Sequence, residues 1–347
     1  MRIAMVAPPW YEIPPPAYGG TEAVVARLIE GLQARGHEVM LVAAGRNGTG
    51  AEFAQTYPEP QHPCLGQVEI EVAHAVGAAG HIDGFEPDVV HDHTLVGPLT
   101  APVRRAPTLV TAHLAPVGEA ALCYRFIGGM AGLVSVSHAQ QRVTSGIRWA
   151  GTAHNAVDPA QFPFRERKGD HVAFLGRMSA DKGVHTAIAA ARAAGHPIKI
   201  AGRCTRPEEI EYFEREIEPL LGPDAEYLGE PDTAAKVELL AGARCLLFPV
   251  HWEEPFGMVL IEAMACGTPV VALRRAAVAE IVEPGVSGLV CDTEEELPAA
   301  IREVGRLDPR DCRRRVSDHF DVGTMAAVYE RHYLRLVRER SLSDTSR

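Results

Sequence analysis

Residues 245–273 read CLLFPVHWEEPFGMVLIEAMACGTPVVAL, and this stretch decides the fold of the chain. The first apolar run predicts a buried strand, and the apolar run over residues 257–265 predicts a helix. The glycine and proline that follow are typical stop signals, and residues 270–273 predict the next strand. A strand, a loop, a helix and a second strand in this order indicate an α/β protein.

The start of this helix has the properties of an anion site. The backbone N–H groups of Gly257, Met258 and Val259 have no partner within the helix, and the positive end of the helix dipole lies there. Glu262 falls inside the apolar helix, where an ionised side chain needs a polar partner or a covering ligand. The rise from Gly257 to Glu262 is about 7 Å, so a diphosphate at the helix start leaves room for a ribose beside Glu262.

A second carboxylate, Glu254, lies in the loop before the helix. The two glutamates either belong to one ligand site or are unrelated, one in a solvated loop and one partly buried. The agreement of helix start, glycine and inward carboxylate favours a single nucleotide site.

The size and charge of the chain limit what it can be. At 347 residues it is longer than one hydrophobic core usually serves, so two domains are expected. Its 46% hydrophobic and 23% charged residues are ordinary for a globular protein. The formal net charge of −11, shared by two acidic halves, argues against nucleic acid as a partner.

The sequence shows no sign of export or of membrane insertion. The first residues lack the long apolar stretch of a signal peptide, and no apolar run approaches the roughly 18 residues of a membrane span. The seven scattered cysteines include no Cys-x-x-Cys pair, which argues against disulfides and a zinc site. We therefore expect a cytoplasmic protein with no transmembrane segment.

A βαβ unit is predicted at the start of the chain. Residues 2–7 and 38–43 have the apolar character of buried strands, and residues 21–35 have an amphipathic helical pattern. The loop before this helix ends in Gly19 and Gly20, whose bare backbone can approach a ligand. The alternative is that the two glycines form only a turn and a helix entry.

Histidines follow the ends of three further predicted strands in the first half. The carboxyl ends of parallel strands form the ligand edge of such a sheet, and they carry His91, His93, His113 and His138. His91 and His93 could be half of a metal site, but no third ligand follows at a telling spacing. His113 is the stronger candidate for substrate contact; the alternative is a histidine that only caps the strand end. The strands are predicted at residues 88–91, 108–113 and 132–136.

A second α/β domain is predicted after a linker over residues 155–170, which contains prolines, turn residues and charges. Its first strand leads into Gly176-Arg-Met-Ser-Ala-Asp-Lys-Gly183 and then a helix. Only four lysines occur in the chain beside thirty arginines, which makes Lys182 notable. Arg177 offers a planar guanidinium and Lys182 a mobile ammonium group, and the two together suit a diphosphate. Solvated surface charges are the alternative. The strands are predicted at residues 172–175, 198–201, 225–228, 244–250 and 270–273.

Two common nucleotide motifs are missing from the sequence. Gly48-Thr49-Gly50 lacks the third glycine of a dinucleotide-binding loop, because Phe53 stands in its place. No phosphate loop with Gly-Lys-Ser/Thr occurs either. These two absences disfavour a dehydrogenase and an ATPase.

The residues resemble a known bacterial family, the family 4 glycosyltransferases, which use nucleotide sugars. Such enzymes have the GT-B fold, two facing Rossmann-like domains with an interdomain cleft, and they retain the anomeric configuration of the sugar. The most specific matches are Gly176-Arg177 with Lys182-Gly183, and the two glutamates with seven residues between them. The proline-rich opening is similar to a branch that includes antibiotic-pathway sugar transferases. Further matches are Tyr18-Gly-Gly-Thr-Glu22, Gly36-His-Glu-Val39, Thr111-Ala-His113, Ser135-Val-Ser-His138 and Asn155-Ala-Val-Asp158.

The resemblance implies a role for each candidate residue. Arg177 and Lys182 are expected to neutralise the diphosphate, and Glu262 to hold the ribose. Glu254 and the amides at the helix start are expected to hold the sugar and its phosphate, while His113 contacts the donor sugar. The loop at Gly19 and Gly20 is expected to close on phosphate and acceptor. Ala156 replaces the glycine usual in the family, which concerns the flexibility of the hinge and not the chemistry. The catalytic candidates are His113, Glu254, Arg177 and Lys182; the substrate-binding candidates are Gly19, Gly20, His93, His138, Gly257, Met258, Val259 and Glu262.

We therefore expect a retaining hexosyltransferase that moves a sugar from a nucleotide diphosphate sugar, most commonly a UDP-sugar, to a small-molecule, glycan or lipid-linked acceptor. Fixed cations and amides would replace a metal ion, so neither a metal nor a cofactor is expected. The alternatives are an epimerase or hydrolase of nucleotide sugars on the same fold, or a non-catalytic nucleotide-sugar binding protein. A glycosidase would need two carboxylates flanking one bond.

The expected division of the chain is residues 1–160 for the N-terminal, acceptor-side domain and residues 161–322 for the nucleotide-sugar-binding domain. Residues 323–347 are expected to form a C-terminal helix. It packs either on the second domain alone or back on the first.

Overall fold

The computed structural model describes residues 1–16 and 19–345, and of residues 343–345 it describes the backbone alone. Tyr18, which belongs to the opening motif quoted above, lies outside the described residues. The strands are β1 (Arg2–Val6), β2 (Glu38–Ala44), β3 (Glu52–Tyr57), β4 (Val89–Asp92), β5 (Thr108–Ala112), β6 (Gly132–Ser135), β7 (Gly151–Thr152), β8 (Val172–Leu175), β9 (Ile198–Ala201), β10 (Ala225–Tyr227), β11 (Cys245–Phe248), β12 (Val270–Leu273) and β13 (Gly288–Cys291).

Helices connect these strands. They are α1 (Gly20–Ala34), α2 (Val68–Phe85), α3 (Gly118–Met130), α4 (His138–Val143), α5 (Val184–Ala194), α6 (Pro207–Tyr212), α7 (Thr233–Gly242), α8 (Met258–Ala265), α9 (Val278–Ile281), α10 (Leu297–Glu303), α11 (Pro309–His319) and α12 (Val322–Thr345). The residues group into two compact units: Met1–Ala156 with Val322–Arg347, and Val157–Asp321. Each unit contains one parallel sheet, which confirms the predicted α/β class.

The sheet of the first unit has the order β3-β2-β1-β4-β5-β6-β7. β1 lies between β2 and β4, with Ile3 opposite both Val39 and Val89. The residues of β1 from Ile3 to Val6 are buried, as expected for a parallel strand covered on both faces. The strand order reverses between β1 and β4, which is where open α/β sheets bind ligands. His93 follows β4 at this point.

The sheet of the second unit has the order β10-β9-β8-β11-β12-β13. Its strand order reverses between β8 and β11, which are neighbours in the sheet. The loop after β8 carries Arg177 and Lys182, and the loop after β11 carries Glu254. The topology therefore brings both loops to the ligand edge of this sheet.

The last helix, α12, packs on α1 within the first unit. The contact is close at Gly31, where a Cβ atom would lie 2.9 Å from Cβ of Ala326 and 2.9 Å from Cγ1 of Val322. Tyr329 and Tyr333 of α12 are fully buried. Gly31 on α1 therefore permits the close approach of α12, although α12 follows the whole second unit in the sequence.

Several strand ends differ by one or two residues from the sequence-based expectation. The strand predicted at residues 244–250 is Cys245–Phe248, because Pro249 has no N–H to continue the ladder. The strand predicted at residues 88–91 is Val89–Asp92, so His91 lies inside β4. None of the helices in the described part of the chain combines the length and the apolar character needed to cross a bilayer.

We expect Gly31→Ala to lower the free energy of unfolding by roughly 1–3 kcal/mol, because the new methyl group overpacks the contact between α1 and α12. Gly80→Ala is the matched control: Gly80 also lies inside a helix, but a Cβ atom there would meet nothing within 4 Å. It should raise stability by about 0.5–1 kcal/mol through helix propensity. Urea unfolding of both variants measures the difference, and equal stabilisation by the two substitutions would contradict the packing at Gly31.

Candidate active site

Helix α8 begins with a sharp turn that exposes its first amides. Gly257 caps the helix in the left-handed region, with φ of 90°, which favours glycine. No acceptor among the described residues meets the N–H groups of Gly257, Met258 and Val259. Met258, Val259 and Glu262 are the half-buried positions of α8, and its other residues are buried. These amides and Glu262 therefore share the accessible side of the helix.

Two cations hold the carboxyl end of α8. Nζ of Lys168 donates to the carbonyl of Cys266 at 2.9 Å and to that of Ala241, at the end of α7, at 3.1 Å. Burial lowers the pKa of Lys168 to about 8. Arg313 donates to the carbonyl of Ala265. Positive charge at this end complements the helix dipole and satisfies the last carbonyl groups.

Glu262 has the polar partner that its place in an apolar helix requires. Nζ of Lys236, on α7, lies 2.7 Å from Oε1 of Glu262. Both side chains are only partly exposed, at 24% for Lys236 and 13% for Glu262. Sequence reasoning missed Lys236, although the scarcity of lysine that drew attention to Lys182 applied equally to it.

Glu254 and Lys182 form an ion pair between the two loops at the sheet edge. Trp252 joins them: its Nε1 donates to Oε2 of Glu254 at 3.1 Å, and Nζ of Lys182 lies 4.8 Å from the centre of its ring. The residue after Lys182 is Gly183, where a Cβ atom would lie 2.2 Å from the carbonyl oxygen of Pro249. Only glycine fits there, so the loop that carries Lys182 packs tightly against the end of β11.

Arg177 is oriented by a buried carboxylate. Its Nη1 lies 3.4 Å from Oε1 of Glu209, and its Nη2 lies 3.6 Å from Oδ2 of Asp181. Burial of Glu209 opposes its ionisation, but N–H groups of Thr205 and Arg206 and the nearby arginines outweigh that effect and lower its pKa. An ionised Glu209 thus holds the guanidinium of Arg177 beside the strand ends.

The glycine loop of the first unit lies at the entry to α1. Gly19 has φ of 145°, and a Cβ atom there would lie 2.7 Å from Cβ of Pro15. Gly20 is the first residue of α1, and nothing lies within 4 Å of its Cβ position. Burial raises the pKa of the neighbouring Glu22 to about 7, so both of its protonation states are populated near neutral pH. Sequence reasoning did not single out Glu22.

The histidines of the first unit are distributed over two places. His93 and His113 are brought together, with Nδ1 of His93 2.9 Å from Nε2 of His113. His93 is buried and only 5% exposed, so little of its ring is open to a ligand. His138 begins α4, where its Nδ1 lies 3.2 Å from Oγ1 of Thr152 and its ring meets that of His154 edge-on.

Comparison with known proteins gives a consistent class. A family model described as "Glycosyl transferases group 1" matches residues 159–317, and one described as "Glycosyltransferase Family 4" matches residues 18–161. Glycogen synthase of Mycobacterium tuberculosis is 27% identical, over 96% of this chain and 94% of the relative. The crystal structure of AviGT4, a glycosyltransferase involved in avilamycin A biosynthesis, is 27% identical with a TM-score of 0.76, covering 97% of this chain and 98% of AviGT4.

A more distant structure shows the same fold. Anabaena HepE, solved in complex with UDP-glucose, is 19% identical with a TM-score of 0.72, and 100% of each chain is covered. The two model matches, which together span most of both units, define a glycosyltransferase with two Rossmann-like domains, the GT-B fold. Within that class the chain belongs to the family 4 and group 1 glycosyltransferases, as its motifs predicted.

Proposed function

We propose that this glycosyltransferase moves a hexose from a nucleoside diphosphate sugar, with UDP as the nucleotide, to a hydroxyl-bearing acceptor with retention of configuration and without a metal ion. The observation that carries the proposal is the edge of the second sheet, where Lys182 and Arg177 lie in the loop after β8 and the open amides of α8 follow β11. The acceptor is a small molecule, a glycan or a lipid-linked sugar. Cytoplasmic location stays a prediction from the sequence.

The ion pairs of the second unit suit the departure of a nucleoside diphosphate. As the bond from the sugar to the diphosphate breaks, negative charge grows on the outer phosphate, and Lys182, Arg177 and the α8 amides stabilise it. The phosphate competes with Glu254 for Lys182. Glu254 is thereby released to accept hydrogen bonds from sugar hydroxyls, which couples binding of the diphosphate to orientation of the sugar.

The remaining candidates have binding roles. Glu262, with its charge balanced by Lys236, accepts hydrogen bonds from the ribose hydroxyls. We assign His113 a contact with the donor sugar, and we assign Gly19 and Gly20 an approach of bare backbone to the substrate. The sugar–diphosphate bond breaks through an oxocarbenium-like state, and the acceptor hydroxyl attacks from the face of the leaving group while its proton passes to the departing diphosphate, which gives retention.

UDP as the nucleotide is supported by HepE, which binds UDP-glucose on the same fold. UDP-, GDP-, ADP- and dTDP-glucose are compared for the rise in melting temperature, since a ligand specific for the native state stabilises it. We expect the largest rise in melting temperature with UDP-glucose. Without an acceptor the enzyme should hydrolyse UDP-glucose slowly, and proton NMR should detect α-glucose as the first anomer released. A larger shift with another nucleotide would exclude UDP. If β-glucose appeared first, retention would be excluded. If the enzyme converted UDP-glucose to an epimeric nucleotide sugar, the reaction would be epimerisation and not sugar transfer.

Three substitutions separate the roles of the charged residues. Glu262→Ala should chiefly raise the donor KM, because the ribose contact is made in both ground and transition states. Lys182→Ala should lower kcat by roughly 100-fold, the size expected when one preorganised group facing the leaving oxyanion is lost. Glu254→Ala should lose turnover but bind free UDP at least as tightly as the wild type, because UDP no longer competes for Lys182.

Donor kinetics and calorimetry with UDP measure these effects. Glu226→Ala is the control, since Glu226 is an exposed carboxylate on β10, outside the site. If Glu254→Ala weakened UDP binding while Glu262→Ala did not, the assignment of the two glutamates would be reversed.

Metal independence is expected because Lys182, Arg177 and the α8 amides already face the leaving group. Turnover should be unchanged in excess EDTA, measured after dialysis of the enzyme against the chelator. Loss of turnover that magnesium or manganese restores would show that these groups are insufficient.

A further inference from the structure

The histidines at the carboxyl edge of the first sheet form a continuous chain of contacts with Met5. Nε2 of His93 lies 3.0 Å from Sδ of Met5, and Nδ1 of His93 lies 2.9 Å from Nε2 of His113. Met5 belongs to β1, His93 follows β4 and His113 follows β5, and these three strands are neighbours in the sheet. The contacts therefore run across the point where the strand order reverses.

These contacts decide which ring nitrogens carry protons. A thioether has no hydrogen to donate, so Nε2 of His93 must be the N–H donor toward Met5. A neutral imidazole has one N–H, which leaves Nδ1 of His93 as an acceptor. Nε2 of His113 must then donate to it, and Nδ1 of His113 keeps a lone pair.

Burial keeps both rings neutral, as this count of protons requires. It lowers the pKa of His93 well below its usual value and that of His113 to about 4. Nδ1 of His113 has no hydrogen-bond partner among the described residues, and the side chain is partly exposed. The lone pair of His113 is thus available to a ligand.

We propose that His93 is a positioning residue that holds His113 in the tautomer with the proton on Nε2, so that Nδ1 of His113 accepts a hydrogen bond from a substrate hydroxyl. This rests on the proposed function, in which His113 contacts the donor sugar. The group that meets His113 must itself donate a hydrogen bond. A sugar hydroxyl does so, whereas a carbonyl or an ionised phosphate oxygen does not.

The ring of His93 is also prevented from turning. His91 packs against it, with 4.1 Å between the ring centres. His91 is fixed in turn, because its Nδ1 lies 2.7 Å from the hydroxyl of Tyr333 and its Nε2 lies 2.8 Å from Oγ1 of Thr111. The acceptor nitrogen of His93 therefore stays directed at His113.

The tautomer is measured directly by nitrogen-15 NMR of the full-length protein with labelled histidine at neutral pH. The His113 signals are assigned from their loss in His113→Gln. We expect a pyridine-type Nδ1 and a pyrrole-type Nε2 in His113. A pyrrole-type Nδ1 would overturn the proposal irrespective of any activity.

Two substitutions at His93 separate positioning from packing. His93→Asn keeps an acceptor oxygen near the former Nδ1, whereas His93→Leu fills a similar space without an acceptor. We expect a mixture of His113 tautomers and a roughly 10- to 100-fold loss of kcat/KM in His93→Leu, the size typical for an orienting partner, and recovery of both in His93→Asn. Equal kcat/KM in the two variants would overturn the positioning role.

A third substitution covers the case in which His93→Leu fails to fold. Met5→Leu removes the sulfur acceptor but keeps the volume of the side chain, so Nε2 of His93 loses its partner and the tautomer of His113 should become mixed. An unchanged tautomer would overturn the proposal. The NMR experiments could show the expected tautomer while His113→Gln still transfers sugar normally. In that case the role of His113 in the proposed function would be wrong, although His93 would still position His113.

Discussion

The ion pair between Lys236 and Glu262 is the interaction on which the accessible side of helix α8 depends. The helix is buried along most of its length, and Glu262 is the one carboxylate that it carries. Burying that carboxylate without a partner would destabilise the unit. The partner comes from α7, so the pair that balances the charge of Glu262 also ties α7 to α8.

Two other cations of the second unit also have carboxylate partners, but the two partners differ in how they are held. Lys182 and Arg177 are each paired with a carboxylate, but Glu254 lies in a loop, whereas Glu209 is buried and accepts hydrogen bonds from two backbone amides. Arg177 therefore pairs with a carboxylate that is itself fixed by the backbone, whereas the partner of Lys182 is a loop residue. In the proposed reaction Arg177 keeps its carboxylate partner, whereas Lys182 exchanges Glu254 for a phosphate.

The sequence predicted the elements that carry strong local signals and missed the contacts between them. β8, β9 and β12 match their predicted bounds, because each is a short apolar run bounded by turn residues. Helix α2 went unpredicted, since its exposed Val68, Val72 and Val76 blur the apolar pattern. The sequence could not predict three pairings: Lys236 with Glu262, Glu209 with Arg177, and His93 with His113. Each pairing joins residues from different elements, so it depends on how these elements pack.

The histidine network shows how far such a pairing can reach along the chain. His91 depends on Tyr333, and Thr111, which contacts His91, also contacts Tyr329 at 2.9 Å. Both tyrosines belong to α12, which follows the whole second unit in the sequence. A buried polar group without a partner is costly, so a buried network is most stable when each of its members is hydrogen-bonded. The hydrogen bonds of His91 and Thr111, next to the edge that carries His113, therefore depend on α12, and Gly31 allows that helix to pack closely on the first unit.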